Sequence, residues 1–221
     1  MVRDHGLIPA ETLEDAARQA VRAETGSDTG SRYAPAPTLP KLSKEQKYVR
    51  GLFSGGTFCY EAQLICQQKG FSAASNTPVA GNRALANIWQ SEDHTLIDMG
   101  DDDFTRGKPH PMIDPTLRNQ RLLNELNDSH TAVVLFDLVL GYGASTTPAS
   151  ELLDQLSHID MNNAPLLIAH VCGTEADPQI RSQQISALQN AGVIIASSNA
   201  QAALWASTVA QTQLQKKGLN V

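Results

Sequence analysis

Residues 54–57, Ser-Gly-Gly-Thr, stand between an apolar run over 48–53 and a run of helical composition over 57–69. A helix that opens on two glycines offers unpaired backbone N–H groups at its positive end. Glycine admits a ligand to them because no Cβ intervenes. Ser54, Gly55, Gly56 and Thr57 therefore suit the holding of a small anion, a phosphate or a carboxylate. The plainer alternative is a tight turn with a Ser or Thr cap. The stretch is not a Walker loop, since no Gly-Lys-Ser/Thr follows, and it does not have the GxGxxG spacing.

A second stretch gathers Asp98, Asp101, Asp102 and Asp103, followed by Arg106, Lys108, His110 and Asp114. Clustered carboxylates could hold a hard cation such as Mg²⁺, but a solvated acidic turn accounts for them too, and no metal ligand set is assigned. Lys108 and His110 lie next to prolines and could face an anionic substrate. His110 is also a candidate acid or base, because an unperturbed imidazole titrates near neutrality. His170 is the second candidate catalytic residue. It lies in an apolar strand two residues before Cys172, where the alternative is a core histidine with one satisfied hydrogen bond. No Ser–His–Asp arrangement can be argued, because such partners converge in space rather than in sequence. The three cysteines, Cys59, Cys66 and Cys172, lack metal-pair spacing and read as small buried thiols of a reducing compartment.

The elements that must position these residues alternate from Tyr48 onward. Strands are expected over 48–53, 94–99, 131–140, 165–171 and 193–197. Helices are expected over 57–69, 115–127, 148–159 and 179–192, with a last one capped by Asn199. The run 131–140 is almost continuously apolar, as in a strand covered on both faces. Pro115 and Pro148 suit first helical turns, and glycines at 70 and 192 suit helix stops. Five strand–helix units imply a doubly wound, mainly parallel five-stranded α/β sheet. Ligands of such sheets sit beyond the carboxyl ends of the strands. The five loops at that edge are all polar and four contain glycine, so the chemistry is expected there.

Residues 1–45 read differently. A short helix over 10–24 with a mostly alanine stripe, begun by the pair Thr12 and Asp15, leads into a linker rich in Pro, Ser and Gly. The domain proper is expected over 46–221. The chain has 221 residues and a net charge of -6. That balance argues against a broad nucleic-acid surface, which needs clustered Lys and Arg, but not against a local anion site built from backbone amides. There is no apolar run long enough for a membrane span and no apolar leader, so a cytoplasmic location without membrane contact is expected.

Three motifs, "SGGTFCYEA", "AHVCGT" and "ISALQNAGVIIASSNAQAA", resemble the carboxyl-terminal flavodoxin-like domain of the succinyl-CoA ligase α subunit. The run "HTLIDMGDDDFTRGKPHPMIDPTLRNQRL" resembles the FdrA family more closely. The resemblance spans about residues 48–210. It implies a succinyl-CoA synthetase-type domain in which glycine-rich turns and helix starts form a phosphate site. That supports Ser54, Gly55, Gly56 and Thr57, and extends it to Gly173, Thr174 and Asn199. For FdrA-like proteins it implies carbamoyl or acyl transfer on small carboxylates with phosphate, of the oxamate carbamoyltransferase type in purine and allantoin breakdown. Phosphate or carbamoyl phosphate would be the bound small molecule, and the partners would be other subunits of a hetero-oligomeric enzyme or a second copy of the chain. Nucleotide-dependent acyl-CoA ligation and a non-catalytic structural subunit are the alternatives. Two features depart from the ligase pattern. Residues 1–45 are too short for the CoA-binding domain and the first flavodoxin-like domain that precede it in the relatives. A single-domain relative, a split subunit or a fragment is therefore expected, and CoA binding by this chain alone is not implied. The loop "CGTEADPQIRSQQISAL" also has no histidine after His170, so the phosphohistidine of the ligases is not carried over.

Overall fold

The computed structural model describes residues 7–27, 33–36, 42–157, 159 and 164–218. The chain divides into two compact units, residues 1–37 and residues 38–221. In the first, helix α1 spans Leu13–Thr25. The Thr12 hydroxyl accepts from the Asp15 N–H at 3.0 Å, so these two residues do start the helix. Gly26, at φ +68, ends it with a hydrogen bond to Arg22 O. Leu13 and Val21 of the alanine stripe are exposed.

The second unit is an α/β domain in which every strand pairing is parallel. Its strands are β1 (Tyr48–Phe53), β2 (Ala74–Ser75), β3 (Arg83–Ala84), β4 (Thr95–Asp98), β5 (Thr131–Val139), β6 (Leu166–Cys172) and β7 (Ile194–Ala196). Its helices are α2 (Gly56–Gln68), α3 (Asp102–Thr105), α4 (Thr116–Leu126), α5 (Pro148–Leu156), α6 (Arg181–Asn190) and α7 (Asn199–Gly218). The sheet order is β3-β2-β4-β1-β5-β6-β7. The five expected strands lie side by side in a flavodoxin-like 2-1-3-4-5 order that ends at the β7 edge, but among the described residues the sheet has seven strands rather than five. β2 and β3, two residues each, extend one edge and carry too few residues to show a period.

Helices α2 and α7 pack together on one face, and α4, α5 and α6 line the other. The main apolar core fills the second interface, with Val134, Phe136 and Leu138 of β5 against Leu122, Leu152 and Leu188. Side chains alternate along a strand, so Asp137 points to the α2 and α7 face. Helix α6 starts at Arg181 rather than 179. The Gln179 side chain instead donates to Gly141 O and Ser145 O, both at 2.9 Å, and Ile180 takes a positive φ of 54. The chain turns from β1 to β4 on one side and then crosses to β5 on the other. The crevice of the strand reversal thus lies between the carboxyl ends of β1 and β5.

Candidate functional site

The Ser-Gly-Gly-Thr turn opens into that crevice. Gly55 is the N-cap of α2, with an extended backbone (φ -172, ψ 160) and no side chain to cap the helix. A Cβ on Gly55 would meet nothing within 4 Å. Thr57 is exposed, and Gly55 and Gly56 are half-buried. Ser54, one position too early to serve as the cap, is turned away. Its N–H and its hydroxyl both donate to Asp137 Oδ1 at 2.8 Å. The start of this 13-residue helix is therefore left uncapped, and its first amides point their positive ends into the crevice.

Asp137 is the residue that sequence reading missed. Its side chain has 0% exposure, and its Oδ2 has no hydrogen-bond partner. Burial holds its carboxyl above the usual carboxylate range, against the pull of Arg118 and the Ser54 bonds. Arg118, itself buried, donates to the Asp137 carbonyl and not to its carboxylate. It stands over the Phe136 ring, 5.8 Å from the centroid, on the opposite face of the sheet. The signal was present: Asp137 is the one charged residue in the apolar run 131–140.

A second carboxyl closes the other side of the turn. Asp98 ends β4, and its Oδ1 accepts from the Gly100 N–H at 2.9 Å. Its Oδ2 lies so near Gly56 that a Cβ there would come within 2.9 Å of it. Burial raises the Asp98 pKa, partly offset by the Gly100 bond and by His110. His110 folds over the same corner. Its Nδ1 accepts from the Met112 N–H at 3.3 Å, and a Cβ on Gly100 would fall 2.7 Å from its Nε2. The neutral ring thus keeps its proton on Nε2, on the Asp98 side. Ser145 N–H donates to Met112 O at 2.8 Å and ties this loop to the one after β5.

His170 is brought to the same face by register, opposite Asp137 on the adjacent strand, with its ring edge-on to Phe58 at 5.6 Å. Asn199 does not cap the last helix as expected. Ser198 takes that role, accepting from the Gln201 N–H at 3.1 Å. Asn199 instead donates through Nδ2 to Phe58 O at 3.1 Å and Glu61 Oε2 at 2.7 Å, fastening α7 to the first two turns of α2. Gly173 and Thr174 follow β6. Gly173 lets the chain pass Leu140, whose Cβ would lie 2.7 Å from a side chain at that position. Thr174 is exposed, and its N–H and hydroxyl both donate to Asp177 Oδ2 at 2.6 and 3.0 Å. The structure therefore gathers Ser54, Gly55, Gly56, Thr57, His110, His170 and Asn199 around one corner and adds Asp98 and Asp137. Thr174 spends its donors within its own loop.

The acidic run is divided among local tasks. Asp101 caps α3 by accepting from the Asp103 N–H at 3.0 Å. Among the described residues, no three His, Cys, Asp or Glu side chains converge as a metal site. Lys108 lies over the Trp89 ring at 5.5 Å. Cys59 and Cys66 are buried thiols, each pushed up to about 12 by burial, and Cys172 is half-buried. Among the described residues no helix is long and apolar enough to cross a membrane.

The sequence matches the CoA-ligase family over residues 52–209, from β1 to α7. It is 37% identical over 216 residues to an uncharacterised protein, YahF, of Escherichia coli K12, a match that covers 93% of this chain and 42% of that protein. The chain thus spans less than half the length of this relative. A solved structure, PH0766 from Pyrococcus horikoshii OT3, is similar at a TM-score of 0.47 and 12% identity, covering 99% of this chain and 43% of the other.

Proposed function

The chain belongs to the CoA-ligase family, and from that premise we propose that it is the anion-holding domain of an acyl-CoA ligase-type enzyme subunit. In this reading the Ser-Gly-Gly-Thr turn holds phosphate or a phosphorylated carboxylate during acyl or carbamoyl transfer. One observation carries it. A 13-residue helix starts in the crevice of the strand reversal with a glycine N-cap, open space beside it, and the neighbouring serine tied elsewhere. Amide N–H groups fixed in this way stabilise charge that gathers on transferring oxygens without rearranging.

The narrower reading is carbamoyl transfer. A carbamoyl group passes from carbamoyl phosphate to the amide nitrogen of a small carboxylate such as oxamate. The new C–N bond forms as the C–O bond to phosphate breaks, and the amide proton leaves with the phosphate. The loop after β6 supports direct transfer, because Thr174 and Asp177 bond each other there and no histidine is present to carry a phosphoryl group. Catalysis by such a subunit calls on partner chains or a second copy for the rest of the site. His110 and His170, on either side of the corner, are the proton-handling candidates.

Gly55→Asp tests the site. The new carboxylate would cap α2 and occupy the same amides, so the variant should be more stable by a few tenths of a kcal/mol. It should also lose binding of inorganic phosphate in calorimetry. A variant that is stabilised yet still binds phosphate at the wild-type affinity would refute the reading. Gly56→Asp is a poorer test, because its side chain would be driven against Asp98. Assays with co-expressed partner subunits separate the chemistries. Phosphate release from carbamoyl phosphate that depends on oxamate supports carbamoyl transfer, and CoA-dependent ADP formation supports the ligase. Neither activity in an intact assembly supports a structural subunit.

A further inference from the structure

An anion brought to the turn meets two buried carboxyl groups. Asp98 is provided for: its Oδ1 accepts from Gly100 N–H, and the His110 ring stands beside it. Asp137 is not. Both donors of Ser54 converge on Oδ1, while Oδ2 is buried without a partner. Buried carboxylate oxygens are expected to be satisfied, and an exception calls for a cause. No group around it bonds that oxygen, and the positive charge that acts on it, Arg118, offsets only part of the cost of burial. Cys59 of α2 and Cys172 of β6 sense the Asp137 charge, and both thiols are raised by burial. His170 lies opposite Asp137 in register, and Glu61 of α2 is held by Asn199. Arg118 of α4 binds the Asp137 carbonyl from the other face.

A bare carboxylate here would repel the ligand that the uncapped amides attract, through a low-dielectric wall where charges act strongly. A protonated Oδ2 removes the repulsion and leaves Oδ1 free to keep both Ser54 bonds. Building on the anion-site reading above, we propose that the turn takes up its anion together with one proton, held on Asp137 Oδ2. Asp137 is thus a positioning residue whose protonation state decides whether a dianion is accepted. The raised pKa of the buried group agrees with this direction. The linkage is reciprocal, so a bound anion makes Asp137 harder to deprotonate.

The experiment is sulfate binding by calorimetry on the whole chain, because sulfate stays a dianion across the range used and contributes no titration of its own. Titrations in buffers of different ionisation enthalpy count the protons exchanged. Wild type should take up as much as about one proton per sulfate, with affinity falling by up to about tenfold per pH unit once free Asp137 is ionised. Asp137→Asn keeps an acceptor for Ser54 and should bind sulfate with no proton uptake and an affinity independent of pH. Asp98→Asn should keep the uptake. Binding without proton uptake in wild type, or uptake that survives in Asp137→Asn or disappears in Asp98→Asn, overturns the proposal while leaving the anion site standing. Sulfate that binds neither wild type nor Asp137→Asn, or binds Gly55→Asp as well as wild type, overturns the anion site itself and the proton linkage with it.

Discussion

Single residues at this corner carry opposite tolerances although several are the same amino acid. Gly55 has open space where a side chain would go, which is why Gly55→Asp is expected to stabilise the fold while removing the ligand. Gly100 has none. A Cβ there would sit 2.6 Å from Ser54 O and 2.7 Å from His110 Nε2. The imidazole could swing away, but the carbonyl could not, because the Ser54 N–H and hydroxyl are both anchored on Asp137. Gly100→Ala should therefore cost about 1–3 kcal/mol, as overpacking at a rigid contact does. It should also shift the amide resonances of Ser54 and Met112 in NMR spectra. Urea unfolding that matches wild type would mean the β4 loop does not pass this close to the end of β1. Gly56 is intermediate, limited by Asp98 and by the ring of Tyr60 at 3.2 Å.

At the scale of elements, hydrophobic pattern and turn residues made the five expected strands and most helices readable, because each long element buries a face with its own period. The Ser-Gly-Gly-Thr turn was legible for the same reason, since it lies where an apolar strand gives way to a helix. The contact of His110 with Gly100 was not, because nothing local encodes a loop folding back across a strand end. Asp137 was legible only as a lone charge in an apolar run, and its link to Ser54 needed the pairing of β1 with β5. The short strands β2 and β3 are held by side chains rather than by a pattern. Gln63 of α2 is fully buried and accepts from the Val79 N–H at 3.1 Å and Asn82 Nδ2 at 3.0 Å. It donates to Thr77 O at 3.1 Å, while Gln67 donates to Ala80 O at 2.8 Å. Gln63→Leu fills the space but strands these partners, so it should cost about 2–4 kcal/mol. Hydrogen exchange should rise across residues 73–84 while β5 stays protected. Unchanged protection of the 73–84 segment would show that Gln63 does not hold this edge.

For the molecule as a whole, the opposite end of the sheet sets a pH limit on folding. His94, just before β4, is buried, and its Nδ1 accepts from the Val49 N–H at 3.2 Å. It stacks on Phe71 at 4.4 Å and meets Tyr48 edge-on at 5.4 Å. Burial, with help from the charge of Arg50, lowers its pKa from 6.5 to about 4. The unfolded chain therefore binds a proton at His94 at pH values where the folded chain does not. This contribution is fully present above pH 6.5 and is lost as pH falls toward about 4. The loss amounts to about 3 kcal/mol, since each pKa unit corresponds to about 1.4 kcal/mol. Asp98 and Asp137 act with the opposite sign, because a carboxyl raised by burial favours the folded state at low pH and loses that contribution as pH rises through its folded value. Total stability against pH thus mixes the two, and His94 must be isolated by difference. His94→Gln keeps an acceptor for Val49 and lacks the titration, with a pH-independent cost from the lost ring contacts. The stability gap between wild type and this variant, from urea unfolding, should be largest above about pH 6.5 and shrink by up to about 1.4 kcal/mol per unit below it. A gap that stays constant from about pH 5 to about pH 7.5 would show that His94 is not the group that couples protons to folding.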